Sequence, residues 1–251
     1  MSLERAGGDQ DWWQVTGLAP DEVPEVVVLE GTWWRRDREA QRLRLLDDVR
    51  ELDAPDWYWG TYRGHPVVYA CMYGAARAVE PVVILGQLGA KVVVQIGSCG
   101  GIQPGARTGD LLIPDTVAIE EGVSRWYHAR TAVSATPALV AAAIEAAELR
   151  GIRTLRGLSV TEDTLLGVRP KDDSLERWRG AGYVGVDMET SAVFSAAQYM
   201  GMQRLALIHI WDELAIGRRW SDPLPPEVDA DRRSTEEAMF EIALHSTLDL
   251  A

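Results

Sequence analysis

The amino-acid sequence predicts an α/β protein in which a central mixed β-sheet is flanked by helices. Short apolar runs alternate with helical patterns along the chain, as they do in stacked β-α units. No repeat, low-complexity tract or Ser/Gly-rich linker interrupts this alternation. A chain of 251 residues with 47% hydrophobic content can bury a substantial core. We therefore expect one domain over residues 1–251, with its core between about 26 and 248.

Five segments have the composition of buried strands. Each is short and rich in β-branched or aliphatic residues, which pack well on a pleated surface. Their alternation with helical patterns favours a largely parallel or mixed sheet with helices on both faces. The predicted strands are 26–29, 67–72, 92–96, 110–113 and 205–210.

Two internal helices have recognisable ends. Thr136 and Pro137 supply an N-cap and a first-turn proline for a helix over 138–150, and a glycine follows it. A second helix is predicted over 189–200, because apolar residues recur there on one face and Gly201 can end it.

The C-terminal part is predicted to contain a loop followed by a last helix. The run 234–237 (Ser-Thr-Glu-Glu) fits a capping box, so a helix should begin there and continue to about Leu248. The preceding acidic, proline-rich stretch 221–231 is typical of a surface loop. It is the candidate for a mobile lid.

Composition excludes several function classes. There are 38 acidic against 25 basic side chains, a net charge of −13, which disfavours nucleic acid and anionic membranes as partners. No apolar run approaches the roughly 18 residues of a membrane span. Only two cysteines are present, and the four histidines lack metal-ligand spacing. We expect a cytoplasmic protein without a metal or cofactor.

Polar or glycine-rich residues follow three of the predicted strands. Gly31 follows the first strand, the segment 97–101 (Gly-Ser-Cys-Gly-Gly) follows the third, and Trp211 with Asp212 follows the last. Ligands of open α/β sheets bind outside the carboxyl ends of strands. These loops are therefore expected to converge on one pocket, although segment 97–101 alone fits an ordinary tight turn equally well.

Three carboxylates are candidates for chemistry at this pocket. Asp212 is a candidate general acid, since Trp211 can desolvate it and raise its pKa; the alternative is a turn former or helix N-cap. Glu189 can accept hydrogen bonds from two sugar hydroxyls while Met188 packs on a flat group. The alternative for Asp187 and Glu189 is that both complement a helix dipole. His209, inside the last strand, is expected to be a core histidine.

Basic and aromatic residues add two further expectations. Arg35 lies just beyond Gly31, where it can hold an anion by charge-assisted hydrogen bonds, or it can be part of a solvated helix start. The ten tryptophans include the clusters 12–13, 33–34 and 57–59. Exposed aromatic clusters often mark an oligomer interface.

Taken together, several ordered motifs resemble the nucleoside phosphorylase-I family, in its purine nucleoside and uridine phosphorylase branch. The resemblance runs in order over most of the chain, from about Val26 to Leu248. Its motifs are 94–104 (Val-Gln-Ile-Gly-Ser-Cys-Gly-Gly-Ile-Gln-Pro), 108–114 (Thr-Gly-Asp-Leu-Leu-Ile-Pro), 120–127, 186–190 (Val-Asp-Met-Glu-Thr) and the strand that ends at Asp212. It implies a phosphorylase/hydrolase-like fold, cleavage of a nucleoside N-glycosidic bond, and a homodimer or homohexamer with active sites at subunit interfaces.

The resemblance also implies residue roles. Gly31, Arg35 and Ser98 match the family's phosphate-binding residues, and Gln95 stands beside them where phosphorolytic members usually carry an arginine. Asp212 matches the base-side aspartate, and Arg232 the arginine that assists it. The remaining nucleoside-side positions are Asp187, Met188, Glu189, Gly100, Leu165 and Trp211.

Departures from the family pattern leave the nucleophile open. Gln95 removes one positive charge, and Arg50 is only a poor match for a second phosphate arginine expected near Asp53. Losing two charged hydrogen bonds of roughly 1.5–3 kcal/mol each weakens phosphate binding by about 10²–10⁴. Trp211 replaces a small serine, and Leu165 stands where many members stack an aromatic ring on the base.

Three functions therefore compete. The first is a phosphorylase with phosphate as co-substrate, the second a hydrolytic nucleosidase that uses water, and the third a lapsed paralogue that binds a nucleoside without turnover. The retained Gly31, Arg35 and Ser98 favour the first, and Gln95 favours the second.

Overall fold

A computed structural model describes residues 10–164 and 171–248, with the side chains of 171–173 left out. Ten strands form one sheet system: β1 (Val26–Gly31), β2 (Asp47–Glu51), β3 (Trp57–Tyr62), β4 (His65–Cys71), β5 (Val92–Gly101), β6 (Leu111–Glu120), β7 (Ala132–Ser134), β8 (Thr154–Glu162), β9 (Tyr183–Asp187) and β10 (Gln203–Glu213). Seven helices accompany them in these ranges: α1 (Trp12–Thr16), α2 (Arg35–Leu43), α3 (Ala75–Leu88), α4 (Pro137–Glu148), α5 (Lys171–Gly180), α6 (Thr190–Tyr199) and α7 (Pro226–Thr247).

The sheet is mixed and partly closed. Strands β5, β10, β6, β8 and β9 form a ring, because β10 pairs with both β5 and β6 while β9 pairs with both β8 and β5. From β5 the sheet extends outward through β1, β4 and β3 to β2. The β1–β5 and β5–β10 pairs are parallel, whereas β5–β9 and β10–β6 are antiparallel. The predicted fold class, a central mixed sheet flanked by helices, is confirmed.

The main apolar core lies between the sheet and the helices. Residues 26–29 of β1 are fully buried, as expected of a strand with neighbours on both sides. Helix α3 packs against α6, and α4 packs against α7. Phe194 of α6 and Phe240 of α7 are both fully buried in this core. None of the described helices is long and apolar enough to cross a membrane.

All five predicted strands are present, and four of them, β1, β5, β6 and β10, continue beyond their predicted C-terminal ends. β5 includes the segment 97–101, and β10 includes Trp211 and Asp212, so neither is a loop after a strand. Glycines let β5 continue, because a side chain on Gly100 would meet Leu214 Cδ1 at 2.6 Å. The alternative of a tight turn after Ile96 is therefore wrong.

The two internal helices match their predictions closely. α4 begins at Pro137, and Gly151, with a φ of +70°, follows its end. Thr136 occupies the N-cap position, but its hydroxyl accepts a hydrogen bond from the Arg204 amide across the chain (3.0 Å). α6 is followed by Gly201, whose φ of +71° suits a glycine after a helix.

The C-terminal prediction is wrong in its boundary. α7 begins at Pro226, so the second half of the expected loop 221–231 is helical and the run 234–237 lies inside the helix. Proline is well tolerated at a first helical position, and Glu227 and Asp229 complement the helix dipole there. Asp229 also pairs with Arg232 and with Arg233, three and four residues onward. These local interactions stabilise a turn that proline content alone disfavours.

Strand β2 lies at one end of the sheet and pairs with β3. Its sequence is Asp-Asp-Val-Arg-Glu, and four of its five residues are exposed. It therefore contributes little to the core.

Candidate active site

The predicted convergence of strand ends is present in the structure. Gly31 of β1 pairs with Gly97 of β5, and Gly100 of β5 pairs with Asp212 of β10. These parallel strands bring their carboxyl ends to one edge of the sheet, where α6 also begins. We call this edge the strand-end site.

Gly31, Gln95 and Glu189 meet at the centre of the strand-end site. A Cβ atom on Gly31 would lie 2.7 Å from Glu189 Oε2 and 3.1 Å from Gln95 Nε2. Any side chain at position 31 would therefore collide with the carboxylate. Because glycine has no side chain, the Glu189 carboxylate and the Gln95 amide can both lie close to the backbone at position 31.

Glu189 is held at the N-cap position of α6. Its Oε1 accepts a hydrogen bond from the Gly74 amide at 2.6 Å. Burial, followed by the nearby charge of Asp187, raises the pKa of Glu189 from 4.5 to about 8. At neutral pH the carboxyl group is thus largely protonated until a ligand stabilises its charge.

Asp187 has its oxygens occupied by the protein. Thr161 Oγ1 donates to Oδ1 at 2.6 Å, and the amide of Thr190 donates to Oδ2 at 3.0 Å. The Thr190 hydroxyl donates to the same oxygen. Burial raises the pKa of Asp187, while these hydrogen bonds oppose the shift. The geometry favours the helix-end alternative for Asp187, which orients Glu189 rather than facing the site.

Gln95 presents a neutral group where the resemblance implied a charge. Its side chain is almost fully buried, and Nε2 donates to the Ile96 carbonyl at 3.1 Å. Its Oε1 is buried and has no hydrogen-bond partner within residues 10–164 and 171–248. Buried polar atoms of this kind usually bind a ligand or water.

Arg35 begins α2, and carboxylates already hold its guanidinium. Nε lies 3.2 Å from Glu39, and Nη1 lies 2.5 Å from Asp56. The side chain remains 44% exposed. A shallow cavity of about 400 Å³ adjoins it, lined by residues 33–37. Arg35 is near the strand-end site, but an anion there must compete with two acidic side chains.

Ser98 and Gly100 belong to β5. Ser98 is half-buried and stands opposite His209 of β10. His209 is buried as predicted, and its Nδ1 must donate to the Gly97 carbonyl at 2.9 Å. Burial, followed by the charge of Arg232, lowers the pKa of His209 to about 3, so the ring is neutral. Because Leu214 packs closely on Gly100, this glycine is needed for the path of the strand.

Asp212 lies at a bulge in β10. The register of the β10–β5 pair shifts between Ile210 and Asp212, which re-aims the side chains at that point. The backbone amide of Trp220 donates to Asp212 Oδ1. The loop between β10 and α7 is therefore tied to the candidate acid.

Five aromatic residues cluster beside Asp212. Trp34 stacks on Trp211, with ring centroids 5.0 Å apart and planes at 27°. Trp33 lies 5.7 Å from Tyr73 and 5.8 Å from Trp220. Trp33, Trp34 and Trp220 are 52%, 37% and 47% exposed. We call these five residues the aromatic cluster.

The aromatic cluster also contacts Met188, at the start of α6. The Tyr73 hydroxyl donates to Met188 Sδ at 3.5 Å, and Met188 precedes Glu189. Tyr73 and Gly74 follow the end of β4, a strand end that the sequence argument overlooked. A Tyr-Gly pair after an apolar strand was the signal for it.

Arg232 contacts the residue that precedes Asp212. Its guanidinium carbon lies 4.5 Å from the centroid of Trp211. Its nitrogens donate to Asp229 at 2.8 Å and to Glu236 at 3.1 Å. Arg232, which was expected to assist Asp212, thus packs on the neighbouring Trp211, and its positive charge is shared between two carboxylates.

A buried ionic network beneath the site was not predicted. Glu30, next to Gly31, accepts hydrogen bonds from Arg42 Nε and Nη2 at 3.0 Å each and from the Tyr69 hydroxyl at 2.8 Å. Arg38 pairs with Glu236 of α7. A glutamate inside an apolar strand and two arginines four residues apart on α2 were the available signals. The network fixes α2 and α7 against β1.

Two remaining predictions fall elsewhere. Arg50 lies in β2, where it pairs with Glu22 at 2.6 Å and packs over Trp59, so within this chain it does not join the site. Leu165 lies outside the residues that the structure describes. No group of three or more His, Cys, Asp or Glu side chains among residues 10–164 and 171–248 is placed to hold a metal ion.

The fold and the site define an α/β protein with a polar ligand site at the strand ends of a partly closed mixed sheet. Residues 29–246 match the sequence profile described as the phosphorylase superfamily. The chain belongs to that family, and the resemblance to nucleoside phosphorylases stated above is confirmed.

Individual relatives cover nearly the whole chain. A DeoD-type purine nucleoside phosphorylase of Roseobacter denitrificans is 29% identical over 238 residues, which are 92% of this chain and 97% of that protein. A DeoD-type purine nucleoside phosphorylase of Geobacillus kaustophilus is 24% identical, over 92% of this chain and 96% of that protein. The crystal structure of uridine phosphorylase from Vibrio fischeri ES114, in complex with 6-hydroxy-1-naphthoic acid, superposes with a TM-score of 0.79 at 22% identity. That superposition covers 91% of this chain and 93% of that one. It supports the fold.

Proposed function

We propose that this protein is a nucleoside phosphorylase, a pentosyltransferase that cleaves the N-glycosidic bond of a nucleoside with phosphate as co-substrate. The observation that carries the proposal is the close approach of Glu189 and Gln95 to Gly31 at the strand-end site, where a Cβ on Gly31 would lie 2.7 Å from Glu189 Oε2 and 3.1 Å from Gln95 Nε2. Membership of the phosphorylase superfamily and the purine nucleoside phosphorylase relatives support the same reaction.

Glu189 is assigned to the sugar. The sugar develops positive, oxocarbenium-like charge at C1′ as the base departs, and hydroxyl donors favour the ionised carboxylate. Its fixed bond to the Gly74 amide holds the carboxylate in one orientation, so bound sugar hydroxyls are aligned for attack at C1′. Met188, which precedes it, packs beside the sugar together with Tyr73.

Asp212 is assigned to the leaving base. Protonation of a ring nitrogen by the carboxyl group neutralises the charge that develops as the glycosidic bond breaks. General acid assistance of this kind contributes about 10²–10⁴ in rate. Trp220, whose amide binds Asp212, and Arg232, which packs on Trp211, position the acid.

The phosphate is assigned to the other side of the sugar. The backbone at Gly31, the Ser98 hydroxyl and the Arg35 guanidinium lie on β1, β5 and the start of α2, where they can bind an anion. An oxygen of phosphate then attacks C1′ from the face opposite the base, which gives free base and sugar 1-phosphate.

Hydrolysis is a second candidate, and Gln95 favours it. The buried amide supplies no charge, and its unpartnered Oε1 is an acceptor suited to orienting water. Glu39 and Asp56 meanwhile partly neutralise Arg35. Both features weaken binding of a dianion relative to binding of water.

One experiment separates phosphorolysis, hydrolysis and binding without turnover. The protein is incubated with a purine and pyrimidine nucleoside panel, with and without phosphate, and free base and sugar 1-phosphate are followed by chromatography. We expect sugar 1-phosphate only when phosphate is present. Free sugar in phosphate-free buffer would establish hydrolysis instead, and binding without base release would exclude both activities.

We further propose that the enzyme works in the cytoplasm as a homodimer or homohexamer with active sites at subunit interfaces. Both cysteines are buried free thiols, as in a reducing compartment. Exposed apolar side chains such as Leu149 and Ile216, 82% and 68% exposed, favour burial by another subunit. Sedimentation velocity tests the assembly.

A further inference from the structure

The stacked pair of Trp34 and Trp211 lies beside the candidate acid. Trp220 lies edge-on to Trp34, with ring centroids 6.0 Å apart, and its amide donates to Asp212 Oδ1, so a flat ring held at the stacked pair lies close to that carboxyl group. Two facing aromatic rings of this kind bind heteroaromatic bases by stacking. We propose that Trp34 and Trp211 form a clamp that takes the base of a purine nucleoside between their rings. This inference rests on the proposed function.

Trp211 is the fixed side of the clamp. It belongs to β10, and its carbonyl accepts a hydrogen bond from Thr108 Oγ1 at 2.9 Å. The Arg232 guanidinium packs against its ring, and the charge of Arg232 is itself held by Asp229 and Glu236. These contacts fix the ring relative to the sheet.

Trp34 is the side that moves. It is the N-cap residue of α2 and lies outside the sheet, with 37% of its surface exposed. Two ring layers at van der Waals distance need about 7 Å between the outer rings. The centroids are now 5.0 Å apart, so Trp34 must move outward by at least about 2 Å to admit a base. Its contacts with Trp33 and Trp220 are edge-on or tilted, at 6.1 and 6.0 Å, and allow that displacement.

The clamp selects for ring size. A bicyclic purine overlaps two indole faces over a larger apolar area than a single pyrimidine ring does. The clamp therefore favours purine over pyrimidine nucleosides through the area of the stacked rings rather than through hydrogen bonds to the base edges.

Binding of free adenine and free uracil, measured by titration calorimetry without phosphate, tests the clamp apart from turnover. Wild-type protein should bind adenine more tightly than uracil. Trp34→Leu removes the flat face, and it should weaken adenine binding about 5- to 150-fold and abolish the preference. Trp34→Phe keeps an aromatic face and should retain most of the preference.

A matched control is Trp126→Leu. Trp126 is also exposed, but it lies in the turn 124–127, where Arg125 packs over its ring. This variant should bind both bases like the wild type.

Two results would overturn the clamp. The first is unchanged adenine binding in Trp34→Leu. The second is an equal loss of binding for both bases together with a change in oligomeric state, which would make the aromatic cluster a subunit interface. Preferential adenine binding without cleavage of any nucleoside would support the clamp and reject the proposed function.

Discussion

Replacing Glu189 by glutamine should remove a pH-dependent loss of stability. Burial and Asp187 raise the folded-state pKa of Glu189 from 4.5 to about 8. The folded protein therefore holds a proton that the unfolded chain releases at lower pH. The resulting stabilisation is fully present below pH 4.5 and is lost as the pH rises through 8. Glutamine, a neutral isostere of the protonated acid, does not titrate.

The size of the effect follows from the two pKa values. Each pKa unit corresponds to about 1.4 kcal/mol, so the full difference is about 4–5 kcal/mol, of which about 4 kcal/mol falls between pH 5 and pH 9. For a protein of this length that corresponds to about 8–16 °C in melting temperature. The pH dependence of the difference between wild type and Glu189→Gln isolates this group from the other carboxylates.

Thermal and urea unfolding at pH 5, 7 and 9 measure the difference. Glu189→Gln should gain stability relative to wild type as the pH rises. Glu145→Gln, an exposed position on α4, is the control for the chemical change and should show no such trend. A difference between Glu189→Gln and wild type that stays constant from pH 5 to 9 would refute the reasoning.

Three other variants test the site and its support. Asp212→Asn should lower kcat by about 10²–10⁴ with an unchanged melting temperature, and full activity in steady-state assays would remove Asp212 from the acid role. Gly31→Ala places a Cβ 2.7 Å from Glu189 Oε2 and should lower kcat/KM about 10²-fold. Gly180→Ala, where the Cβ meets open space, should have no effect. Arg42→Met leaves the buried Glu30 without its bidentate partner, so urea unfolding should show a loss of about 3–5 kcal/mol. The double variant with Glu30→Gln should recover much of it.

The sequence was informative where local chemistry decides the structure. Buried apolar runs identified the strands. Pro137 and Gly201 marked helix ends, because the fixed φ of proline and the positive φ that glycine readily adopts act within a few residues. The order of the strand-end residues also predicted one site at the ends of β1, β5 and β10. Closure of the ring through the β10–β5 pair depends on partners about 110 residues apart, which no local pattern encodes.

Errors arose where tertiary contacts override local preference. Glycines 97–101 resemble a turn, but close packing on Gly100 makes them a strand. The sequence does not show that Asp187 and Glu189 differ in role. The hydrogen bonds that Thr161 and Thr190 donate to Asp187 show that its oxygens are occupied. The stacking of Trp34 on Trp211 joins the N-cap residue of α2 to the last strand of the sheet, so their identity as a pair required the structure.

The acidic strand β2 has a consequence for the protein in concentrated solution. It lies at one end of the sheet, where unpaired backbone groups can template pairing with another molecule's strand. Asp47, Asp48 and Glu51 place negative charge along this edge, and Asp48 adopts a φ of +53°, which interrupts regular extended geometry. Two such edges repel each other and cannot align over their length. The strand thus protects the open side of the sheet against edge-to-edge aggregation.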